Sequence, residues 1–328
     1  MEPVLQKILV VGGNGFVGSA VCRTALARGM QVASVSPSGK PWQTPKGHTP
    51  AWVHKVEWHQ GDALQPDTYQ HLLPGVTAVV HTIGTLFEKS GYKSAIKDGN
   101  VPHFVSSVAA GIAGSSRSAN PLEKEQKRKE GSYEVVNRDT ALRVCEQFLR
   151  STPTVGTAGP RAFVYISAED CNRPLVPSGY IEAKREAELG IERMMLDHPS
   201  FRGVYIRPSL IYHPHYRPLI SPVAALLDLS ATVHASLPAG LPTPSNVLRT
   251  LGAVLPRSAA PGAVALDTGF DAMARALTIP PIHVDHVAEA VCIAADNRRQ
   301  DVRGPYGVKG MRELIGWHQR GQQQVGHA

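Results

Sequence analysis

The chain has 328 residues, 42% of them hydrophobic and 19% charged, with a formal net charge of +7. That length buries a substantial core, as one large α/β domain or a domain plus a smaller lobe, and no run approaches the roughly 20 apolar residues of a membrane-crossing helix. Cys22, Cys145, Cys171 and Cys292 are too scattered for metal-ligand or redox spacing, so free thiols are expected.

The basic excess admits anionic lipid, nucleic acid or an acidic partner and singles out none of them. The mixed-sign run from Glu123 to Glu130 is expected to be a solvated loop or helix start. An apolar run over 7–12 ends in glycine, as a buried parallel strand does. It starts almost at the first residue, so no cleavable signal or long transit segment is expected ahead of it.

Residues 15–28 have the spacing of a helix stopped by Gly29, and 31–35 of a second strand. Residues 36–50, rich in Pro, Gly, Ser and Lys, form a loop. A third strand over 56–62, a helix over 67–73 and a strand over 78–81 follow. This alternation predicts a doubly wound parallel sheet with a smaller, irregular C-terminal lobe.

From 84 to 131 small residues, glycines and charges dominate, as in an insertion over the edge of a binding site. Order returns with a helix over 133–150, a strand over 162–167, a helix over 179–197 and a strand over 203–207. Apolar stretches at 222–233 and 247–254 belong to a substrate or partner lobe, where simple core packing competes with a pocket or a membrane-facing surface. Asp285 is placed to cap a returning helix. The expected organisation is a nucleotide-binding domain over 5–212, a lobe over 213–280, a return helix over 281–300 and a tail over 301–328.

The first constellation with chemistry is Gly12-Gly13-Asn14-Gly15-Phe16-Val17-Gly18, after a strand and opening a helix, the context of a Rossmann dinucleotide loop. There Gly12 makes the tight turn, Gly15 lets backbone approach a pyrophosphate, and Gly18 packs helix on sheet. The helix N-terminus supplies N–H groups and partial positive charge. At the end of the second strand, where an acid would hold a ribose and favour NAD, the sequence has Ser36, Ser38 and Lys40. Hydroxyls and an ammonium suit a 2′-phosphate, which favours NADP, with NAD the alternative.

Tyr180 and Lys184, four apart, share a helix face. An ammonium beside a phenol favours phenolate, so Tyr180 is a candidate acid/base for exchanging a proton while a nicotinamide exchanges hydride. Ser167 would orient the same substrate oxygen, and Asn137 would support a relay water. His213, His215 and Tyr216 make a polar-aromatic cluster without a third metal ligand, so no metal is expected.

These features together with Asp62 and the segment His283-Val284-Asp285 resemble the extended and atypical short-chain dehydrogenase/reductases. The resemblance implies that Asp62 and Ala63 lie near the adenine, His81, Thr82 and Gly84 beside the cofactor, and Pro208 near the nicotinamide. The runs VVGGNGFVGSAVC, SVSPSGKP, VVHTIGTL, YISAEDCNRPLVPSGYIEAKREAE and IRPSLIY resemble fungal mitochondrial members associated with coenzyme Q biosynthesis. They are also similar to the NADPH-binding accessory subunit of respiratory complex I. Pro37 stands where such relatives can carry arginine.

Carried over, the resemblance implies a peripheral protein on the matrix side of the inner membrane. Its expected partners are subunits of the coenzyme Q biosynthetic complex and a hydrophobic small molecule or quinone intermediate, with no nucleic acid. It leaves open NADP-dependent hydride transfer, a non-catalytic nucleotide-binding scaffold and a sugar-nucleotide epimerase. Arg207, Arg217 and Arg249 are the basic residues an epimerase would need for a diphosphate.

Overall fold

A computed structural model describes residues 6–85, 133–154, 159–171, 173, 176–214, 216, 220–236, 243–254 and 266–317. In chain order the strands are β1 (Lys7–Val11), β2 (Gln31–Ser36), β3 (Val56–Gln60), β4 (Ala78–His81), β5 (Arg161–Ile166), β6 (Phe201–Ile206), β7 (Ile211–Tyr212), β8 (Ile282–His283) and β9 (Gly304–Tyr306). The helices are α1 (Phe16–Ala27), α2 (Thr140–Arg150), α3 (Ser178–Met195), α4 (Ile220–Ser236), α5 (Pro244–Val254), α6 (Gly269–Thr278), α7 (Val284–Ala295) and α8 (Val308–Leu314).

Seven strands form one sheet in the order β3-β2-β1-β4-β5-β6-β9, every pair parallel. This is the doubly wound α/β sheet that the sequence predicts. Strand order reverses between β1 and β4, and the crevice outside that switch point is where such sheets bind ligands.

Side-chain alternation builds two cores. Ile8, Val10, Val80, Val164 and Val204 face one layer with α1 and α7. Leu9, Val11, Val79, Phe163 and Tyr165 face the other, with α2 and α3. Burial on both faces explains why these strands read as continuous apolar runs. In α2 the buried Ala141, Val144, Cys145 and Phe148 recur at the i, i+3, i+4, i+7 spacing of an amphipathic helix. The four cysteines are free and buried.

Several local expectations change. The segment after β3 holds two 3-10 turns, Pro66–Thr68 and Gln70–Gly75, in place of a helix, because its prolines interrupt i→i−4 bonding. A π-helical turn, Glu134–Asp139, leads into α2. The cap of α7 is His283, whose ring accepts from Asp285 N at 3.2 Å. Asp285 instead pairs with Arg23 of α1. Part of the expected tail is structured, since β9 adds the seventh strand and α8 packs behind it. The expected insertion over 84–131 lies almost wholly outside the described residues, as do the charged run over 123–130, His215 and Arg217.

The lobe contains α4, α5 and α6. The segment expected to form this lobe is bracketed by a two-stranded parallel collar, in which Ile211 pairs with Ile282 and Tyr212 with His283. Arg275 of α6 donates to the Asp170 carbonyl at 2.6 Å and its carboxylate at 2.9 Å, and Arg173 grips the same carboxylate. Among the described residues no helix is long and apolar enough to cross a membrane.

Candidate functional site

The glycine loop sits at the switch point, between the end of β1 and the start of α1. Gly12 has φ +90°, and a Cβ there would stand 2.8 Å from Thr82 Oγ1, so this turn excludes side chains. Thr82 is held in place by donating its hydroxyl to the Val11 carbonyl at 2.9 Å. A Cβ on Gly18 would stand 2.2 Å from the Gly12 carbonyl oxygen, which presses α1 against the loop. Gly13 lies as tightly over Ser34. Gly15 precedes α1, no side chain caps that N-terminus, and Phe16 and Val17 of the first turn pack on the core. The result is a backbone cradle shaped for a phosphate at the positive end of a helix.

The end of β2 carries no carboxylate. Ser36 is buried and its hydroxyl has no hydrogen-bond partner among the described residues. Ser38 Oγ accepts from Asn14 Nδ2 at 3.1 Å and from Lys40 N at 3.3 Å, joining the glycine loop to the loop after β2. The Asp62 carboxylate accepts from Leu64 N at 2.9 Å in an exposed turn. Ala63 is buried behind it, with its carbonyl accepting from the Tyr69 hydroxyl. An orphaned buried hydroxyl beside a crowded glycine cradle fits the ribose and phosphates of a dinucleotide.

Beyond β4, Gly84, Asn137 and Lys184 converge. A Cβ on Gly84 would lie 2.9 Å from Lys184 Nζ and 3.0 Å from Asn137 Oδ1. Lys184 is almost wholly buried and donates to the Ile166 carbonyl at 2.8 Å. Its Nζ stands 4.7 Å from the Tyr165 ring centroid and 5.9 Å from that of Tyr180. Burial pulls its pKa down to about 7, with Glu188 opposing the fall. Tyr180, one turn earlier on α3, packs edge-on against Tyr133 at 6.1 Å.

Three of the predicted site residues have protein partners or are enclosed. The Ser167 hydroxyl donates to the buried Glu188 carboxylate and accepts from Arg185 Nη1 at 3.1 Å, so it is engaged inside the protein. The Asn137 amide is clamped to the Thr85 backbone, accepting from its N–H at 3.2 Å and donating to its carbonyl at 3.1 Å. The His81 imidazole is wholly buried in the second core layer against Phe163 and Tyr165, and among the described residues no side-chain or main-chain group of another residue hydrogen-bonds either ring nitrogen. Burial first, then the Lys184 charge, drops its pKa to about 3.

Pro208 is buried at the end of β6, its carbonyl accepting from Glu169 N at 2.8 Å. Glu188, Arg185 and Arg207 form the ion cluster behind Ser167, and the sequence reading missed it. The available signal was the Arg185/Glu188 i,i+3 pair directly after Lys184. His213 and Tyr216 stack at 4.2 Å, and no group of metal-ligating side chains assembles among the described residues.

A family model described as the NAD dependent epimerase/dehydratase family matches residues 8–252. The chain belongs to that family. Family membership agrees with the glycine cradle and makes this an NAD(P)-binding Rossmann protein. Among curated relatives, MIOREX complex component 2 of Saccharomyces cerevisiae is 36% identical over 217 residues, covering 65% of this chain and 75% of the yeast protein. An uncharacterised chloroplastic protein of Arabidopsis thaliana is 31% identical over 209 residues, 63% of this chain and 51% of that one. This chain therefore aligns with about half the plant protein.

Among solved structures, a gluconate 5-dehydrogenase from Burkholderia cenocepacia in complex with NADP and tartrate superposes with TM-score 0.53 at 12% identity, covering 95% of both chains. A 3-oxoacyl-[acyl-carrier protein] reductase from Brucella melitensis in complex with NAD also gives 0.53, at 13% identity, covering 96% and 99%. At such identities these neighbours speak for the fold alone.

Proposed function

We propose that this family member is an NADP-dependent oxidoreductase of the short-chain dehydrogenase/reductase type, acting on a hydrophobic carbonyl or alcohol of quinone biosynthesis in mitochondria. The observation that carries the reading is the convergence of Gly84, Asn137 and Lys184 beside the glycine cradle, with Tyr180 one turn away on the same helix. Ser36, Ser38 and Lys40 would hold the 2′-phosphate. A bound nicotinamide supplies the hydride. Lys184 would hold the ribose and, when charged, favour the Tyr180 phenolate, and Tyr180 would exchange the proton with the substrate oxygen.

The quinone assignment is supported by the resemblance to fungal mitochondrial members associated with coenzyme Q biosynthesis. The likeness to the yeast MIOREX component accords with a place in an assembly. Leu226 and Leu229 of α4 and Val247 and Leu251 of α5 are exposed apolar side chains, which suits a lobe that meets a hydrophobic molecule, a partner subunit or a membrane surface.

A second reading, a nucleotide-binding scaffold without turnover, is favoured by the engagement of Ser167 and Asn137 with protein partners. Single-turnover oxidation of NADPH with quinone-ring precursors, native against Tyr180→Phe, separates the two. The enzyme reading requires a loss of about 100-fold or more in Tyr180→Phe with nucleotide binding retained. If cellular quinone content is unchanged in Tyr180→Phe and the cofactor still binds, the scaffold reading stands.

A further inference from the structure

The loop after β2 does more than line the adenosine end. Asn14 reaches it from the glycine loop through Ser38, and Lys40 N closes on the same hydroxyl. Two residues later Trp42 lies between two aromatic partners. On one side is Trp52, at 5.6 Å and 30° between planes. On the other is Tyr216, met edge-on at 5.7 Å and 83°.

Tyr216 belongs to the connection between β7 and α4, where the chain enters the lobe. Its ring stacks on His213 at 4.2 Å, and its N–H donates to His213 Nδ1 at 3.3 Å. His213 lies 5.1 Å from His283, which meets Tyr212 edge-on at 5.3 Å. Tyr212 and His283 are register partners in the β7/β8 collar. A continuous series of ring contacts thus runs from the loop that closes on the adenosine end to the collar through which the lobe departs and returns.

We infer that Trp42 couples dinucleotide binding to the ordering of the lobe, by pinning the loop after β2 to Tyr216 and, through His213, to the β7/β8 collar. The inference rests on the dinucleotide reading above. Physically, a ligand that fixes Ser38 and Lys40 restricts the loop they belong to. A restricted Trp42 then holds Tyr216 at lower entropic cost, and the lobe that Tyr216 leads into opens less often. Coupling is reciprocal, so whatever steadies the lobe tightens the nucleotide. Trp42 is a positioning residue here, since its ring packs on Trp52 and Tyr216.

Amide hydrogen exchange in α4 and the β7/β8 collar, with and without NADPH, tests this on native protein, Trp42→Ala, Trp42→Phe and Tyr216→Ala. NADPH is expected to slow exchange in α4 of the native protein several-fold. Trp42→Ala and Tyr216→Ala should lose that protection, and Trp42→Phe should restore it, while all still bind NADPH. A merely structural Trp42 would loosen the lobe equally with and without nucleotide. Equal NADPH-dependent protection in native and Trp42→Ala overturns the coupling and leaves the dinucleotide reading intact. Failure of the native protein to bind NADPH or NADH overturns both. Should Trp42→Ala not fold, Tyr216→Ala carries the comparison at the other end of the contact.

Discussion

The Ser167 hydroxyl donates to the Glu188 carboxylate, one turn along α3 from Lys184, and Arg185 and Arg207 close on the same carboxylate. Glu188 is buried and is the acid that hydrogen-bonds both guanidinium groups, so removing it leaves Arg185 and Arg207 with only the more distant charge of Glu169. Glu188→Ala is expected to cost about 3–5 kcal/mol, measured by denaturant unfolding. Ser167→Ala leaves the acid paired with both arginines and should cost about 1 kcal/mol, with nucleotide affinity unchanged. A large loss of nucleotide affinity in Ser167→Ala would show that the hydroxyl serves the cofactor.

Gly18→Ala tests the cradle. Its new Cβ would press on the Gly12 carbonyl, forcing α1 away from the loop. Overpacking of this kind costs about 1–3 kcal/mol, and the displaced helix N-terminus should weaken NADPH binding about tenfold or more. Calorimetric titration reads both the affinity and the stoichiometry. Unchanged affinity would place the phosphate elsewhere.

His81 gives a pH signature. Its folded pKa of about 3 lies below the ordinary value of 6.5, so between those limits the unfolded chain binds a proton that the fold refuses. Stability then falls as pH drops below 6.5, by up to about 1.4 kcal/mol per pH unit. His81→Leu removes that slope. Melting curves from pH 7 to pH 4 should show the native protein losing Tm faster than the variant, and parallel curves would mean that His81 finds a proton acceptor.

Lys184 titrates in the opposite range. Its folded pKa of about 7 lies below the ordinary 10.5, so the unfolded chain again holds the extra proton, now between pH 7 and 10.5. Stability from this residue therefore rises with pH across that window. Native protein should gain Tm relative to Lys184→Met from pH 7 to pH 9.5. An unchanged difference would show that the amine stays charged in the fold.

Asp170 holds the lobe. It accepts from Arg173 and Arg275; Arg275 ties α6 to the loop after β5, and Arg173 reaches back to the Asp267 carbonyl just before α6. Asp170→Ala should open the lobe without unfolding the sheet, seen as faster proteolysis within α4 to α6 before global melting. Cleavage at the native rate would show that the Asp170 carboxylate is dispensable and that the remaining contacts, among them the β7/β8 collar and the Arg275 bond to the Asp170 carbonyl, hold the lobe.

The sequence by itself determined the sheet and the cradle. Alternating apolar strands and helices leave few topologies for a parallel sheet, and Gly12, Gly15 and Gly18 have the spacing of a phosphate loop, with a Cβ excluded at Gly12 and Gly18. That Tyr180 and Lys184 share one helix was equally legible, since helical spacing is local. Only tertiary structure decided the surroundings of Ser167, Asn137 and His81, because each is occupied or enclosed by residues distant in sequence. Glu188 claims Ser167 across 21 positions, and the Thr85 backbone claims Asn137 across 52. The same is true of β9, Gly304–Tyr306, a short strand whose place beside β6 depends on register rather than on its own sequence. Local periodicity states what a segment is, whereas burial and hydrogen-bond partners are properties of the packed molecule.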